Sequence, residues 1–216
     1  MTVWVVVVAA GDGARFGGLK QWAEIDGRSL VEWSLEAARS VADGVVLVLR
    51  ADAVEAGTPH SHGVDAVVAG GTTRAASVRA GLEAVPLDAD VIVVHDGARP
   101  LASPALFRAV VDAVVAGAAG AVPGLAVADT VKRVDDAGSV VSTVDRHGLV
   151  TVQTPQAFRA DVLRRAHDGA GEAHDDAGLA EAQGATVRVV PGEPRNLKVT
   201  TPADLDTARA LARPTP

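Results

Sequence analysis

The chain has 216 residues, 48% of them hydrophobic and 22% charged, with a formal net charge of −7. That length suits one α/β domain with a sizeable core, and the lack of cysteine excludes disulfides, thiolate metal sites and a cysteine nucleophile. The acidic balance argues against nucleic-acid binding, which needs a basic face. The apolar run from Trp4 to Ala10 is too short to cross a bilayer, so a soluble, cytoplasmic protein without membrane contact is expected.

Short β-branched runs alternate with helical patterns. Val3 to Ala9 is a valine-rich run that predicts a strand buried on both faces. Ser29 to Val41 carries Leu30, Trp33, Leu35, Ala37 and Ala38 at helical spacing. Strands at Val45 to Leu49 and Val64 to Ala69 precede a helix over Thr73 to Ala84, and Val91 to His95 is a further buried strand. The next helix spans Ser103 to Val115, with Ser103 as N-cap and Pro104 in the first position. The rhythm breaks from Ala121 to Gln153, where strand-like pieces (Val127 to Val134, Ser139 to Val144, Leu149 to Gln153) follow one another without a helix. A β-arm over residues 126–153, projecting from the main sheet, is the simplest reading. Helices near Ala160 to His167 and Asp175 to Gln183, a strand at Thr186 to Val190, and a helix from Pro202 to Leu211 complete the chain, with a loose tail holding Pro214 and Pro216. The fold class is α/β: a single domain over residues 1–216 with a mostly parallel sheet flanked by helices.

The first strand runs into Ala9-Ala10-Gly11-Asp12-Gly13-Ala14-Arg15-Phe16-Gly17-Gly18-Leu19-Lys20-Gln21. A glycine-rich turn there lets backbone N–H groups approach a phosphate. A dinucleotide fingerprint from Gly11 needs glycine at position 16, which is Phe16. A Walker loop from Gly13 puts Lys20 one place late and Gln21 where a magnesium-binding hydroxyl belongs. What remains is a phosphate cradle carrying Arg15 and Lys20, against the plain alternative of a surface loop. Arginine outnumbers lysine 17 to 3, and Lys20, Lys132 and Lys198 all stand beside loops, which suggests that a compact point charge is wanted there.

Val91 to His95 leads into Asp96-Gly97-Ala98-Arg99-Pro100, which puts Asp96 at a strand's carboxyl end, where open α/β sheets bind ligands. Asp96 there could hold a metal–water shell or a polyol hydroxyl, or simply pair with Arg99. His95 reads as a satisfied inner-face residue. Gly70-Gly71-Thr72-Thr73-Arg74-Ala75-Ala76-Ser77 is a second glycine turn opening a helix, able to read a base or ribose through Ser77 or merely to cap. His60 and His62 read as a polar loop rather than a metal pair, and the aspartates of His174-Asp175-Asp176 as a helix N-terminus.

Seven blocks in order resemble the 2-C-methyl-D-erythritol 4-phosphate cytidylyltransferases of isoprenoid-precursor synthesis. They are Ala9-Ala10-Gly11-x-Gly13-x-Arg15 with Lys20-Gln21, Gly70-Gly71-x-x-Arg74-x-x-Ser77-Val78, Val94-His95-Asp96-Gly97-Ala98-Arg99-Pro100, Asp129-Thr130-Val131-Lys132, Thr154-Pro155-Gln156-Ala157-Phe158, Asp175-Asp176-Ala177 and Asn196-Leu197-Lys198-Val199-Thr200. The resemblance implies a Rossmann-like nucleotidyltransferase fold, an enzyme joining CTP to 2-C-methyl-D-erythritol 4-phosphate with Mg²⁺, and a homodimer interlocked through the β-arm. It implies catalytic roles for Arg15, Lys20, Arg146 (donated across the dimer) and Lys198. Substrate contacts implied in the same way are Ala9, Ala10, Gly11, Gly13, Gly71, Ser77, Asp96, Arg99, Thr130, Thr154 and His174, with Mg²⁺ held mainly by the triphosphate. Leu19 stands where the family usually has proline, and His174 where it commonly has threonine. The rival readings are a ribitol 5-phosphate cytidylyltransferase and a catalytically silent nucleotide-binding subunit.

Overall fold

The computed structural model describes residues 1–57, 63–169 and 171–213; the tail prolines 214 and 216 and the histidines 60 and 62 lie outside them. Among the described residues, twelve strands and seven α-helices follow the chain in this order: β1 (Val3–Val8), β2 (Glu24–Ile25), β3 (Arg28–Ser29), α1 (Leu30–Arg39), β4 (Gly44–Leu49), α2 (Ala51–Glu55), β5 (Ala66–Ala69), α3 (Arg74–Glu83), β6 (Val91–Asp96) and α4 (Pro104–Val115). There follow β7 (Gly120–Ala126), β8 (Val131–Val134), β9 (Val140–Val144), β10 (Val150–Val152), β11 (Gln156–Arg159), α5 (Ala160–His167), α6 (Asp176–Ala182), β12 (Val187–Pro191) and α7 (Pro202–Ala212).

One eight-stranded mixed sheet runs β10-β7-β11-β6-β1-β4-β5, with β12 also pairing β7. Its β6-β1-β4-β5 half is parallel, whereas β11 lies antiparallel between β6 and β7. The valine run of β1 is buried on both faces because both faces are covered. Val3, Val5 and Val7 pack toward α1 and α4, while Trp4, Val6 and Val8 face α3, α5 and α6. This period of two splits the core into two layers. A third apolar cluster, built from Ile25, Leu30, Val199, Leu205 and Ala208, docks α7 beneath the first loop.

Local chemistry starts the helices where expected. The Ser29 hydroxyl accepts from the Glu32 N–H in a capping box, and the Thr73, Ser103 and Asp175 side chains likewise accept from N–H groups of their own first turns.

The 126–153 segment differs from expectation at both ends. No strand begins at Val127: β8 starts at Val131 and pairs only with β9, forming a separate two-stranded sheet. Val150–Val152 is not part of that projection but returns to the main sheet as β10 beside β7. The arm is therefore the hairpin of residues 131–144. It exposes Val134, Val140 and Val141.

Candidate active site

Strands β1 and β6 run parallel with Val8 opposite Asp96, so their carboxyl ends open onto the same edge of the sheet. A cleft of about 770 Å³ lies there, large enough for a nucleotide. It is lined by the first glycine loop (Ala9 to Asp12), by Lys20, by Gly70 to Arg74 with Ser77, and by Asp96 to Ala98 and Lys198.

The first loop is a tight turn. Gly13 has φ +68°, and a Cβ there would meet the Gly18 carbonyl oxygen at 1.9 Å, so only glycine fits. The Gly13 carbonyl accepts from the N–H groups of Phe16 at 2.8 Å and Gly17 at 3.0 Å, closing the turn. Phe16 packs into the third core cluster and pins the loop's far side. A single 3₁₀ turn at Lys20–Trp22 then delivers Lys20 to the cleft. In the second loop, Gly70 lies against the Ala10 methyl, where a Cβ would come within 2.6 Å. This close approach keeps the two glycine loops together as one wall.

Lys198 is placed by its neighbours. The Asn196 amide is buried and donates to the Thr154 carbonyl at 2.9 Å, while the Arg99 guanidinium donates to the Asn196 carbonyl at 2.7 Å. The Val199 N–H donates to the Ala98 carbonyl at 2.8 Å, and its side chain is fully buried. With both sides pegged, the Lys198 ammonium reaches the Asp96 carboxylate at 2.5 Å, and the Lys20 ammonium donates to the Val199 carbonyl at 3.0 Å. Lys20 is held below the usual lysine range by burial and by the nearby Lys198 charge. Arg15 is exposed on the loop, close enough for its charge to act on Lys20.

Asp96 is 7% exposed and has a second cation, since Arg74 Nε lies 3.1 Å from its other oxygen. Burial alone would raise the Asp96 carboxyl, yet Arg74 and Lys198 together hold it well below the usual carboxylate range. Behind it, the Thr154 hydroxyl accepts from the Asp96 N–H at 3.0 Å and contacts His95 Nδ1 at 3.2 Å. His95 Nε2 meets the Arg99 carbonyl at 3.2 Å, and the ring packs against Phe107.

His95 is fully buried, and burial pushes its pKa down to about 4. An unfolded chain takes up this proton near the ordinary histidine value of about 6.5, which the folded state refuses. Stability is therefore complete above pH 6.5 and falls as pH drops toward 4, by about 3 kcal/mol. Urea denaturation at pH 7.5 and 4.5 should show this loss, and His95→Gln should flatten it; equal slopes in both proteins would remove His95 as the cause.

Of the residues expected at the site, Ala9, Ala10, Gly11, Lys20, Gly71, Ser77, Asp96 and Lys198 line the cleft. Arg15 and Gly13 shape or flank its loop. Thr154 and Arg99 do not line it: Thr154 is 4% exposed beneath Asp96, and Arg99 braces the Lys198 loop, so both act as supports. Ser77 donates its hydroxyl to the Gly71 and Thr73 carbonyls, the cap-like alternative. Thr130 and His174 are exposed and lie outside the lining. Arg146 also stands apart, with its guanidinium donating to the Val127 carbonyl at the base of the hairpin. As for Asp96 holding a metal, both its oxygens are occupied by cations, and the described residues contain no group of three His, Asp or Glu that could bind one.

Sequence reasoning missed Arg74 as a charge partner and Asp176 as its second anchor. Arg74 Nη2 lies 2.8 Å from Asp176, which is fully buried, and His167 Nε2 contacts the other Asp176 oxygen at 3.0 Å. The signal was present in Asp175-Asp176: one aspartate caps α6, and the next, one residue on, turns inward. Arg50, paired with Asp52 at 3.0 Å, is a further cation of the cleft wall.

Comparisons with known proteins bear on the family and the fold. Residues 3–213 match the family model for 2-C-methyl-D-erythritol 4-phosphate cytidylyltransferase. The protein of that name from Saccharopolyspora erythraea is 46% identical, the match covering 98% of this chain and 99% of that one. A bifunctional IspD/IspF enzyme from Clavibacter michiganensis is 47% identical over 96% of this chain, which spans about half (53%) of that relative's length. The crystal structure of 2-C-methyl-D-erythritol 4-phosphate cytidylyltransferase from Thermus thermophilus superposes with a TM-score of 0.83 at 38% identity, covering 97% of this chain and 98% of that one.

Proposed function

The chain belongs to the 2-C-methyl-D-erythritol 4-phosphate cytidylyltransferase family, and we propose that its cleft joins CTP to 2-C-methyl-D-erythritol 4-phosphate, releasing pyrophosphate. The observation that carries this is the convergence of Lys20 and Lys198 with two glycine loops on one nucleotide-sized cleft. A phosphate monoester is an anionic nucleophile near neutral pH, so the reaction needs no general base. Its oxygen forms a bond to the α-phosphorus of CTP while the bond from that phosphorus to the α–β bridging oxygen breaks. The bridging oxygen leaves with the pyrophosphate. The chain's task is to align two polyanions and to stabilise charge at the α-phosphate.

In this reading Ala9, Ala10, Gly11, Gly71 and Ser77 take the cytidine, and Gly13 keeps the loop closed around the phosphates. Lys20 and Arg15 meet the charge that builds on the α-phosphate. Lys198 positions the polyol phosphate and Asp96 its hydroxyls, with Arg99 and Thr154 supporting them and Thr130 and His174 at the periphery. Mg²⁺ is taken to be held mainly by the triphosphate of the nucleotide, where it offsets phosphate charge. Arg146 reaches a cleft only if the hairpin crosses to a second copy, and the exposed valines of that hairpin support a homodimer. Among the described residues no helix is long and apolar enough to cross a membrane, and a cytoplasmic location completes the reading.

Pyrophosphate release measured with four nucleoside triphosphates and two polyol phosphates tests the assignment. Turnover is expected with CTP and 2-C-methyl-D-erythritol 4-phosphate. Preference for ribitol 5-phosphate would overturn the choice of polyol, and silence with every pair would leave only a nucleotide-binding role. Arg146→Ala should raise KM for the polyol phosphate by tenfold or more while calorimetric CTP affinity stays nearly constant. A collapse of nucleotide affinity instead would show that Arg146 is misplaced.

A further inference from the structure

The two cations on Asp96 are not equivalent. Lys198 is a flexible chain with 40% of its side chain exposed to the cleft. Arg74 is three-quarters covered and is fixed on its far side by Asp176, which is itself fully buried and contacted by His167. The resulting line of contacts runs His167, Asp176, Arg74, Asp96, Lys198 from the helix layer to the cleft, with charge alternating from Asp176 to Lys198. Only its last member is free to move. If Lys198 grips the phosphate of the polyol substrate, it must loosen its 2.5 Å contact with Asp96. A nearly buried carboxylate left with no cation in contact would take up a proton or turn away.

We infer that Arg74, anchored by Asp176, is a positioning residue that keeps Asp96 ionised and oriented when Lys198 transfers to the substrate phosphate. This inference rests on the polyol-phosphate reading of the cleft. Asp96 thereby remains an acceptor for substrate hydroxyls through the catalytic cycle, and Lys198 can exchange one anion for another. The other groups facing Asp96 do not replace Arg74 in contact. Arg99 and Lys20 act on Asp96 through their charge, but their donors are turned to the Asn196 and Val199 carbonyls; His95 is buried and neutral at physiological pH, and Thr154 touches only the Asp96 backbone N–H. Arg74 suits the role because a planar guanidinium presents separate N–H groups to the two carboxylates in a fixed geometry, whereas an ammonium is a single point charge on a flexible stem.

The test is the paired variant Arg74→Gln/Asp176→Asn, which removes one charge of each sign from the interior and preserves shape. Removing both partners of a buried pair is far milder than removing one, and a melting curve confirms folding. KM for 2-C-methyl-D-erythritol 4-phosphate should rise at least tenfold while the Kd for CTP changes less than twofold. The acid limb of the kcat profile, which reports the substrate-bound enzyme, should move up by a pH unit or more. The acid limb of kcat/KM should move less, because Lys198 still pairs Asp96 in the free enzyme. A folded, active double variant with wild-type KM and an unmoved acid limb overturns the inference, as does an equal loss of affinity for both substrates. Should the double variant not fold, Arg74→Lys supplies the same readings: a raised polyol KM with CTP affinity intact supports the role, and an unchanged KM overturns it. Failure of the wild-type protein itself to use any polyol phosphate would instead fault the functional reading.

Discussion

Lys20→Ala is expected to lower kcat by roughly 10²–10³, about 3–4 kcal/mol of transition-state stabilisation. Without a ligand, the Lys20 ammonium rests on the Val199 carbonyl and is held below its ordinary pKa by burial and by Lys198. Both features change when a triphosphate enters: the anion outcompetes a neutral carbonyl and screens the two lysines from each other. The nucleotide carries most of its charge before reaction, so ground-state binding draws on several donors at once. The increment at the α-phosphate in the pentacoordinate state falls to the nearest point charge. CTP affinity should consequently drop much less than kcat. Lys20→Arg should recover only part of the rate, since a planar fork spreads its charge and does not place it as the compact ammonium does. Stopped-assay kinetics with calorimetric CTP binding check both statements, and near-normal kcat in the alanine variant would remove Lys20 from its role.

Much of this arrangement was legible in the chain before any coordinates. Continuous β-branched runs mark most strands, and Ser103 as N-cap with the aspartates at Asp175-Asp176 marks helix starts, because burial and orphan N–H groups act locally. What stayed hidden depends on pairing across long separations. Strand β7 contains Gly120, Pro123 and Gly124, residues that argue against a strand, and it survives because neighbours lie on both of its sides. Gly120 is required there by the Phe158 ring of β11, against which a Cβ would come within 2.4 Å. Nothing within either segment announces that contact. Likewise β11 is only four residues long, and its antiparallel place between β6 and β7 follows from how the chain returns from the hairpin.

The same limit applies to the site. Lys20 and Asp96 were identifiable because each ends a recognisable strand-and-loop unit. Arg99 and Thr154 were expected at substrate because they sit in conspicuous blocks, yet both serve the scaffold: one carries the Lys198 loop and the other supports Asp96. A sequence block shows that residues are wanted together, not which of them faces the ligand. Arg146 lies at the base of the hairpin, where its reach depends on a second chain rather than on its own fold.

Asp176→Ala should be the most destabilising single change among the charged residues considered, by about 3–5 kcal/mol. Asp176 has no exposed surface and takes Arg74 at 2.8 Å and His167 at 3.0 Å. Burial opposes its charge, but Arg74 and His167 overcome that penalty and hold the carboxyl below its usual range. Truncation leaves the three-quarters-covered Arg74 guanidinium with Asp96 alone beside it and strips His167 Nε2 of its partner, while His167 Nδ1 has no hydrogen-bond partner among the described residues. Adding Arg74→Leu to Asp176→Ala removes the half-compensated cation and should restore part of the loss, even though the double variant has fewer polar contacts than either parent. That non-additivity is the mark of an uncompensated charge rather than of a cavity, because a cavity would only deepen with the second truncation. Urea unfolding of the wild type, both single variants and the double variant at pH 7.5 provides the cycle. A single Asp176→Ala loss below about 1 kcal/mol, or strictly additive losses in the double variant, would show that the Arg74–Asp176 pair holds no charge in place.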